Sequence, residues 1–183
     1  MGKTGEITTG FTGYTYQTMD FGKNSNYTGA GIYCQANITP ALSWKGEVGL
    51  ATAFKDGSNL DLVLRGYGKH KYNDNFNQNI RLQAIGGDEN RSFQVRYSPF
   101  SYEFDLGKNF STYGNLYYKG QYNTGHKNNG PHWKNSIGSF AGVTYHAPNN
   151  VNFSLEAEHY NLQNLSNNNA KNLGINAIVN VKF

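Results

Sequence analysis

The chain has 183 residues, of which 37% are hydrophobic, 15% aromatic and only 15% charged, and its formal net charge is +4. Mean hydropathy is −0.67 and no run of about 18 apolar residues occurs, which excludes a helical membrane bundle. The 14 tyrosines and 11 phenylalanines are too many for a disordered chain, the single cysteine (Cys34) excludes an internal disulfide, and basic residues spread singly argue against a nucleic-acid footprint.

Alternation with a period of two runs through the chain, and helical periodicity is almost absent. Weak versions occupy 6–18 and 28–38. Segment 42–54 sets Leu42, Trp44, Val48, Leu50 and Phe54 against Ser43, Lys45, Glu47 and Ala51. Segment 60–69 sets Leu60, Leu62 and Leu64 against Asp61, Arg65 and Lys69. Weaker strands follow at 79–87 and 91–105. In the second of these Pro99, which cannot donate to a ladder, predicts a bulge or a strand end. Segment 110–122 opposes Phe110, Leu116, Tyr118 and Tyr122 to Ser111, Asn115, Lys119 and Gln121. After a weak strand at 136–147, segment 151–159 alternates Val151, Phe153, Leu155 and Ala157 with Asn152, Ser154, Glu156 and Glu158. The last, 173–183, puts Leu173, Ile175, Ala177, Val179, Val181 and Phe183 on one face, with Ile178 alone out of place on the other.

Ten strands of roughly ten to thirteen residues result, well above the ~5–6 of soluble sheets. Tight connections fall at 39–41, 106–109 and 147–150, and polar, Gly/Asn-rich ones at 20–27, 55–59, 87–90, 123–135 and 163–171. Stretch 72–78 takes a turn's place in the order with a loop's length. No linker or repeat divides the chain, so residues 1–183 form one all-β domain, an antiparallel up-and-down barrel. Ten strands fit best; eight would need longer loops and twelve shorter strands.

Long alternating strands in a closed sheet satisfy every backbone group and can cross a bilayer, for which about 9–11 tilted residues suffice. With both termini at the tight-turn end, Trp44, Phe110, Tyr145 and Phe183 fall at one rim, and Phe54 and Tyr122 at the other. Rings at both interfaces form the aromatic girdle of such barrels.

The ending 175–183, alternately apolar and finishing on Phe183, resembles the C-terminal assembly signal of Gram-negative outer-membrane β-barrels. Ala177 departs from it, since many members carry a larger residue there. The strand pattern is similar to that of small OmpX-like and opacity-type barrels and of oligosaccharide channels of the KdgM type, with no single subfamily matched. The resemblance implies a bacterial outer-membrane address, the lipid bilayer and lipopolysaccharide as surroundings, and the barrel-assembly machinery as a partner of strand 173–183. Met1-Gly2-Lys3 does not begin a signal peptide, so that address requires a leader removed beforehand.

If the apolar faces meet lipid, the opposite faces line the interior with Lys45, Glu47, Asp61, Arg65, Lys69, Arg81, Arg96, Lys119, Glu156 and Glu158. Gln83, Gln94, Tyr113, Tyr117, Gln121, Asn176 and Asn180 join them. Three arginines on successive strands facing acids on the ninth would set a field across the lumen. That predicts a narrow polar channel for small, preferentially anionic solutes. Three other readings compete. The same charges can pair and plug a narrow barrel. A structural or adhesion barrel would act through its loops, with His132 and Trp133 as contacts in loop 123–135. A soluble lipocalin-like binder would turn the apolar faces inward.

No enzyme is expected: Glu156, Glu158, His159 and Ser166 do not reproduce a hydrolase motif. No cofactor or metal site is expected either. Gly86-Gly87 and Gly29-x-Gly31 lack a following helix, and His126 with His132 share only a solvated loop.

Overall fold

A computed structural model of the chain describes residues 4–19, 26–53, 60–87, 91–124, 132–164 and 173–182. Within them lie ten strands: β1 (Ile7–Met19), β2 (Asn26–Asn37), β3 (Leu42–Ala53), β4 (Leu60–Lys71), β5 (Phe76–Gly86), β6 (Arg91–Gly107), β7 (Phe110–Asn123), β8 (His132–Ala147), β9 (Val151–Asn164) and β10 (Leu173–Lys182). Each pairs antiparallel with its neighbours in sequence, and β1 pairs with β10 from Gly10↔Lys182 to Met19↔Leu173, closing the barrel. Closure leaves no edge strand, so the ladders satisfy one another around the ring.

All four connections at one end are short. In the β6–β7 turn Lys108 and Asn109 both have positive φ, 48° and 68°, the twist that suits a two-residue hairpin. The doubtful 72–78 stretch is a turn spanning only 72–75: the Asn73 side chain accepts from the amides of Asn75 and Phe76 at 2.9 and 2.8 Å, replacing a longer loop. Strand β5 therefore starts at Phe76 instead of residue 79. Its outward Gln78 hid that start, because it breaks the apolar pattern; Tyr72 and Tyr97 donate to it at 3.1 and 3.2 Å. The remaining five connections, of four to eight residues, join the strands at the opposite end.

Strand β6 has 17 residues and carries the expected irregularity at Pro99: the register shifts between Tyr97 and Phe100. The bulge reverses which parity faces in. Before it Gln94, Arg96 and Ser98 point to the interior; after it Ser101, Glu103 and Asp105 do.

Large apolar side chains cover the outside, among them Ile32, Val48, Leu50, Leu62, Leu64, Ile80, Leu82, Leu116, Val143 and Leu155. The buried set inside is mainly polar: Thr12, Glu47, Asp61, Asn77, Arg96, Ser98, Ser101, Ser111, Ser136, Thr144, Glu156 and Glu158. This is the reverse of a soluble barrel, where the apolar faces would meet inside. Ile178 does face in with Asn176 and Asn180, as its odd position in the alternation required.

The aromatic load divides between the faces. Inside, four tyrosines lie over directly opposed glycines: Tyr33 over Gly10, Tyr14 over Gly29, Tyr113 over Gly142 and Tyr117 over Gly138. A Cβ on Gly138 would overlap the Tyr117 ring. Glycine is needed there for close approach, and each missing side chain leaves a slot that a ring fills. Outside, Phe110 and Tyr145 pair at 5.1 Å at the turn end, and Phe76 packs on Phe100 and Phe104 at 5.1 and 5.7 Å.

Candidate functional site

The lining of the barrel is where the charged side chains converge. Lys45, Glu47, Asp61, Arg65, Lys69, Arg81, Arg96, Lys119, Glu156 and Glu158 all lie on inward-facing positions of their strands. They form two arginine clusters with one arginine between them.

In the first cluster Glu47 and Arg65 are directly opposed on β3 and β4 and bond at 2.6 Å. Lys45 reaches the other oxygen of Glu47 at 3.5 Å. Arg65 also donates from Nε to Gln83 at 3.0 Å. Its guanidinium lies 4.4 Å from the ring centre of Tyr14, which belongs to β1, three strands away. Lys45 in turn sits 4.2 Å over the Tyr33 ring. Cations over aromatic faces lose water and gain the ring quadrupole.

In the second cluster the order is inverted. Arg96 on β6 lies 4.0 Å over Tyr117 of the neighbouring β7, and its carboxylate partner Glu158 is on β9, three strands away, at 2.8 Å. Tyr117 donates to the same Glu158 oxygen at 2.6 Å. Both partners of the ion pair are nearly enclosed, with side chains 9% and 4% exposed. The bond therefore runs as a chord across part of the lumen, over β7 and β8. Glu156, one inward position away, accepts from Asn176 at 2.8 Å and from Tyr113 at 3.4 Å.

Arg81 stands between these clusters on β5. It donates to Gln94 at 2.7 Å and has no ion pair among the described residues. Its Nε is buried without a partner. Asp61, at the long-loop end, crowds Gly87, where any side chain would strike its carboxylate.

At the turn end the lumen widens into a cavity of about 660 Å³ lined by Lys71, Asp74, Glu103, Asp105, Lys108 and His146, with Asn75, Asn109 and Ser111. Lys69 bonds Glu103 at 2.7 Å beside it, both half exposed. Glu103 also faces the interior, where simple alternation along β6 would turn it outward, because the Pro99 bulge reverses the faces beyond it. Tyr14, Tyr33, Tyr67 and Phe140 also line the interior unannounced. The signal that could have found the first two is the glycine directly opposite each.

Of the expected rim rings, Trp44, Phe110 and Tyr145 face outward at the turn end, and Tyr122 faces outward at the other. Phe54 and Phe183 lie outside the described residues, as do His126 and Ser166. Trp133 is not a loop residue: it lies on β8, exposed on the outer face, with its ring 5.2 Å from that of Tyr122. The cross-strand pair of these two rings extends β8 to His132 and shortens the expected loop. The side chain of His132 is outside the described set.

A closed ten-stranded meander with an apolar outer belt, a charged lining and tight turns at one end has the fold of bacterial outer-membrane β-barrels. Among solved structures it is similar to the translocator domain of the autotransporter NalP from Neisseria meningitidis, with a TM-score of 0.52 and 11% identity over 100% of this chain and 89% of that one. It is similar also to an outer-membrane channel from Pseudomonas putida F1, with a TM-score of 0.51 and 9% identity over 100% and 97%. A KdgM porin in complex with disordered oligogalacturonate matches over 97% of this chain and 99% of its own, at 10% identity and a TM-score of 0.47. No family model and no curated protein matches the chain in sequence.

Proposed function

We propose that this barrel spans the bacterial outer membrane and forms a narrow polar channel for small solutes, with a preference for anions. The observation that carries the reading is the unmatched Arg81 between two paired arginines on three successive strands, all facing in. In a low-dielectric wall a cation without a carboxylate partner sets the sign of the local potential. The outward apolar belt and the rings near its two ends suit the hydrocarbon and its interfaces, with lipopolysaccharide beyond. Segment 173–183, which contains the closing strand β10, is the one proposed to be read by the assembly machinery during insertion.

One observation favours a second reading. The Arg96–Glu158 chord and the enclosed side chains around it narrow the lumen, which suits a structural or adhesion barrel working through its long-loop end. Planar bilayers separate the two. The purified protein is expected to give discrete conductance steps; silence, from protein shown to be folded by its altered gel migration before boiling, would retire the channel in favour of the structural barrel.

A further inference from the structure

At the turn end, strands β7, β8 and β9 bring three polar side chains into one hydrogen-bonded line. The Oγ of Ser111, near the start of β7, lies 2.9 Å from Nε2 of His146 on β8. Nδ1 of the same ring lies 3.0 Å from Oδ1 of Asn152, which is directly opposed to it on β9. A carboxamide oxygen only accepts, so Nδ1 carries the ring proton and donates it. A neutral imidazole has one such proton, which leaves Nε2 with a lone pair towards the Ser111 hydroxyl. The hydroxyl therefore donates to Nε2. Serine and histidine stand as nucleophile and base, and the carboxamide holds the ring's tautomer and orientation.

Ser111 and His146 both line the turn-end cavity of about 660 Å³, which has room for a small organic molecule against the serine. Lys71 and Lys108 line it too and bring positive charge for a developing oxyanion. Glu103 and Asp105 on the same wall favour the imidazolium that forms as the serine reacts. Asn152 orients the ring without adding a charge to it. This arrangement suits an ester, whose alkoxide leaves more readily than the amine of an amide. The charged lining offers no bed for a long acyl chain. None of Glu156, Glu158, His159 and Ser166 takes part, and three members on three strands have no motif spacing.

We propose that Ser111, His146 and Asn152 form a hydrolytic site for short-chain carboxylic esters at the turn end of the barrel. Oγ bonds to the ester carbonyl carbon as its proton passes to Nε2. The acyl C–O bond then breaks, and Nε2 returns the proton to the leaving alkoxide, which departs as the alcohol. Water attacks the acyl group on Ser111, giving its proton to Nε2 and thence to Oγ, and the carboxylic acid is released. Ser111 and His146 are the catalytic residues and Asn152 a positioning residue. The site goes beyond the channel reading and does not require conduction.

The test is release of 4-nitrophenol from its acetate ester by the folded, detergent-solubilised full chain, with the palmitate ester as control. Turnover is expected with the acetate and not with the palmitate. Ser111→Ala, shown to be folded by its gel migration before boiling, is expected to lower the rate about 100-fold or more. A small fluorophosphonate is expected to attach to the Ser111 Oγ with loss of fluoride, read as a mass increase on that peptide. Asn152→Ala should slow turnover and Asn152→Asp should restore it, since the aspartate keeps an acceptor at Nδ1. No turnover above the detergent blank, faster turnover of the palmitate, wild-type rates in Ser111→Ala, or labelling elsewhere than Ser111 would overturn the site. An Asn152→Asp as slow as Asn152→Ala would overturn the positioning role. Hydrolysis by a barrel that gives no conductance steps would keep the site and retire the channel; steps without hydrolysis would do the reverse.

Discussion

The two arginine clusters use the same three side-chain types in opposite arrangements. Arg65 takes its carboxylate from the adjacent strand and its tyrosine from three strands away; Arg96 takes its tyrosine from the adjacent strand and its carboxylate from three strands away. A bond between neighbours lies along the wall, and a bond between β6 and β9 crosses open interior. The first stabilises a hairpin that its own register already brings together. The second ties distant parts of the ring across the interior. Equal chemistry thus has a local consequence in one place and a global one in the other.

The largest expected effect follows from Glu47, which serves two cations. Glu47→Ala leaves both Arg65 and Lys45 without their carboxylate in an enclosed wall, and is expected to cost about 3–5 kcal/mol in denaturant unfolding of the detergent-solubilised barrel. Glu158→Ala strands one cation, which keeps its contact with the Tyr117 ring, and the expected loss is towards the lower end of that ~3–5 kcal/mol range. Equal losses would show that Lys45 draws nothing from Glu47. The bilayer readout is expected to rank these sites the other way. Removing Arg96 and Glu158 together should raise single-channel conductance, whereas removing Arg65 and Glu47 together should change it much less.

A smaller effect is expected from the support beneath the crossing bond. Gly138→Ala pushes a methyl group into the Tyr117 ring and the carbonyl of His159, costing about 1–3 kcal/mol as overpacking does, and it displaces the hydroxyl that donates to Glu158. Unfolding curves of Gly138→Ala alone and combined with Tyr117→Leu check this. The combination should recover most of the loss, and a loss that persists would place the strain in the backbone contact with His159.

Much of this architecture was legible in the alternation of apolar and polar residues. All ten strands, their order of connections and the inward face of each charged site residue follow from period-two patterning, because a one-residue slip would exchange lipid-facing and lumen-facing sets. Where a second influence acts on the face, the pattern stops informing. Glu103 was hidden by the bulge at Pro99, which reverses parity within one strand. Tyr14, Tyr33 and Phe140 were hidden because rings suit either side of this barrel: outside at the interfaces, inside over glycine or beside other rings. The polar residues around Trp133 give it a loop's surroundings in sequence and mask its pairing with Tyr122. The crossing partners were unreadable for a further reason. Alternation tells which side chains face in, and only the ring geometry tells that Arg96 reaches Glu158 while Arg81 has no ion pair among the described residues.

That unmatched arginine is also the point at which the proposed activity is most open to direct test. The reversal potential of the wild-type barrel in a planar bilayer under a salt gradient reports the sign of the ions that pass. Anion preference, reduced in Arg81→Gln at unchanged conductance, is the predicted result; cation preference in the wild type, or a selectivity that Arg81→Gln leaves untouched, would contradict it.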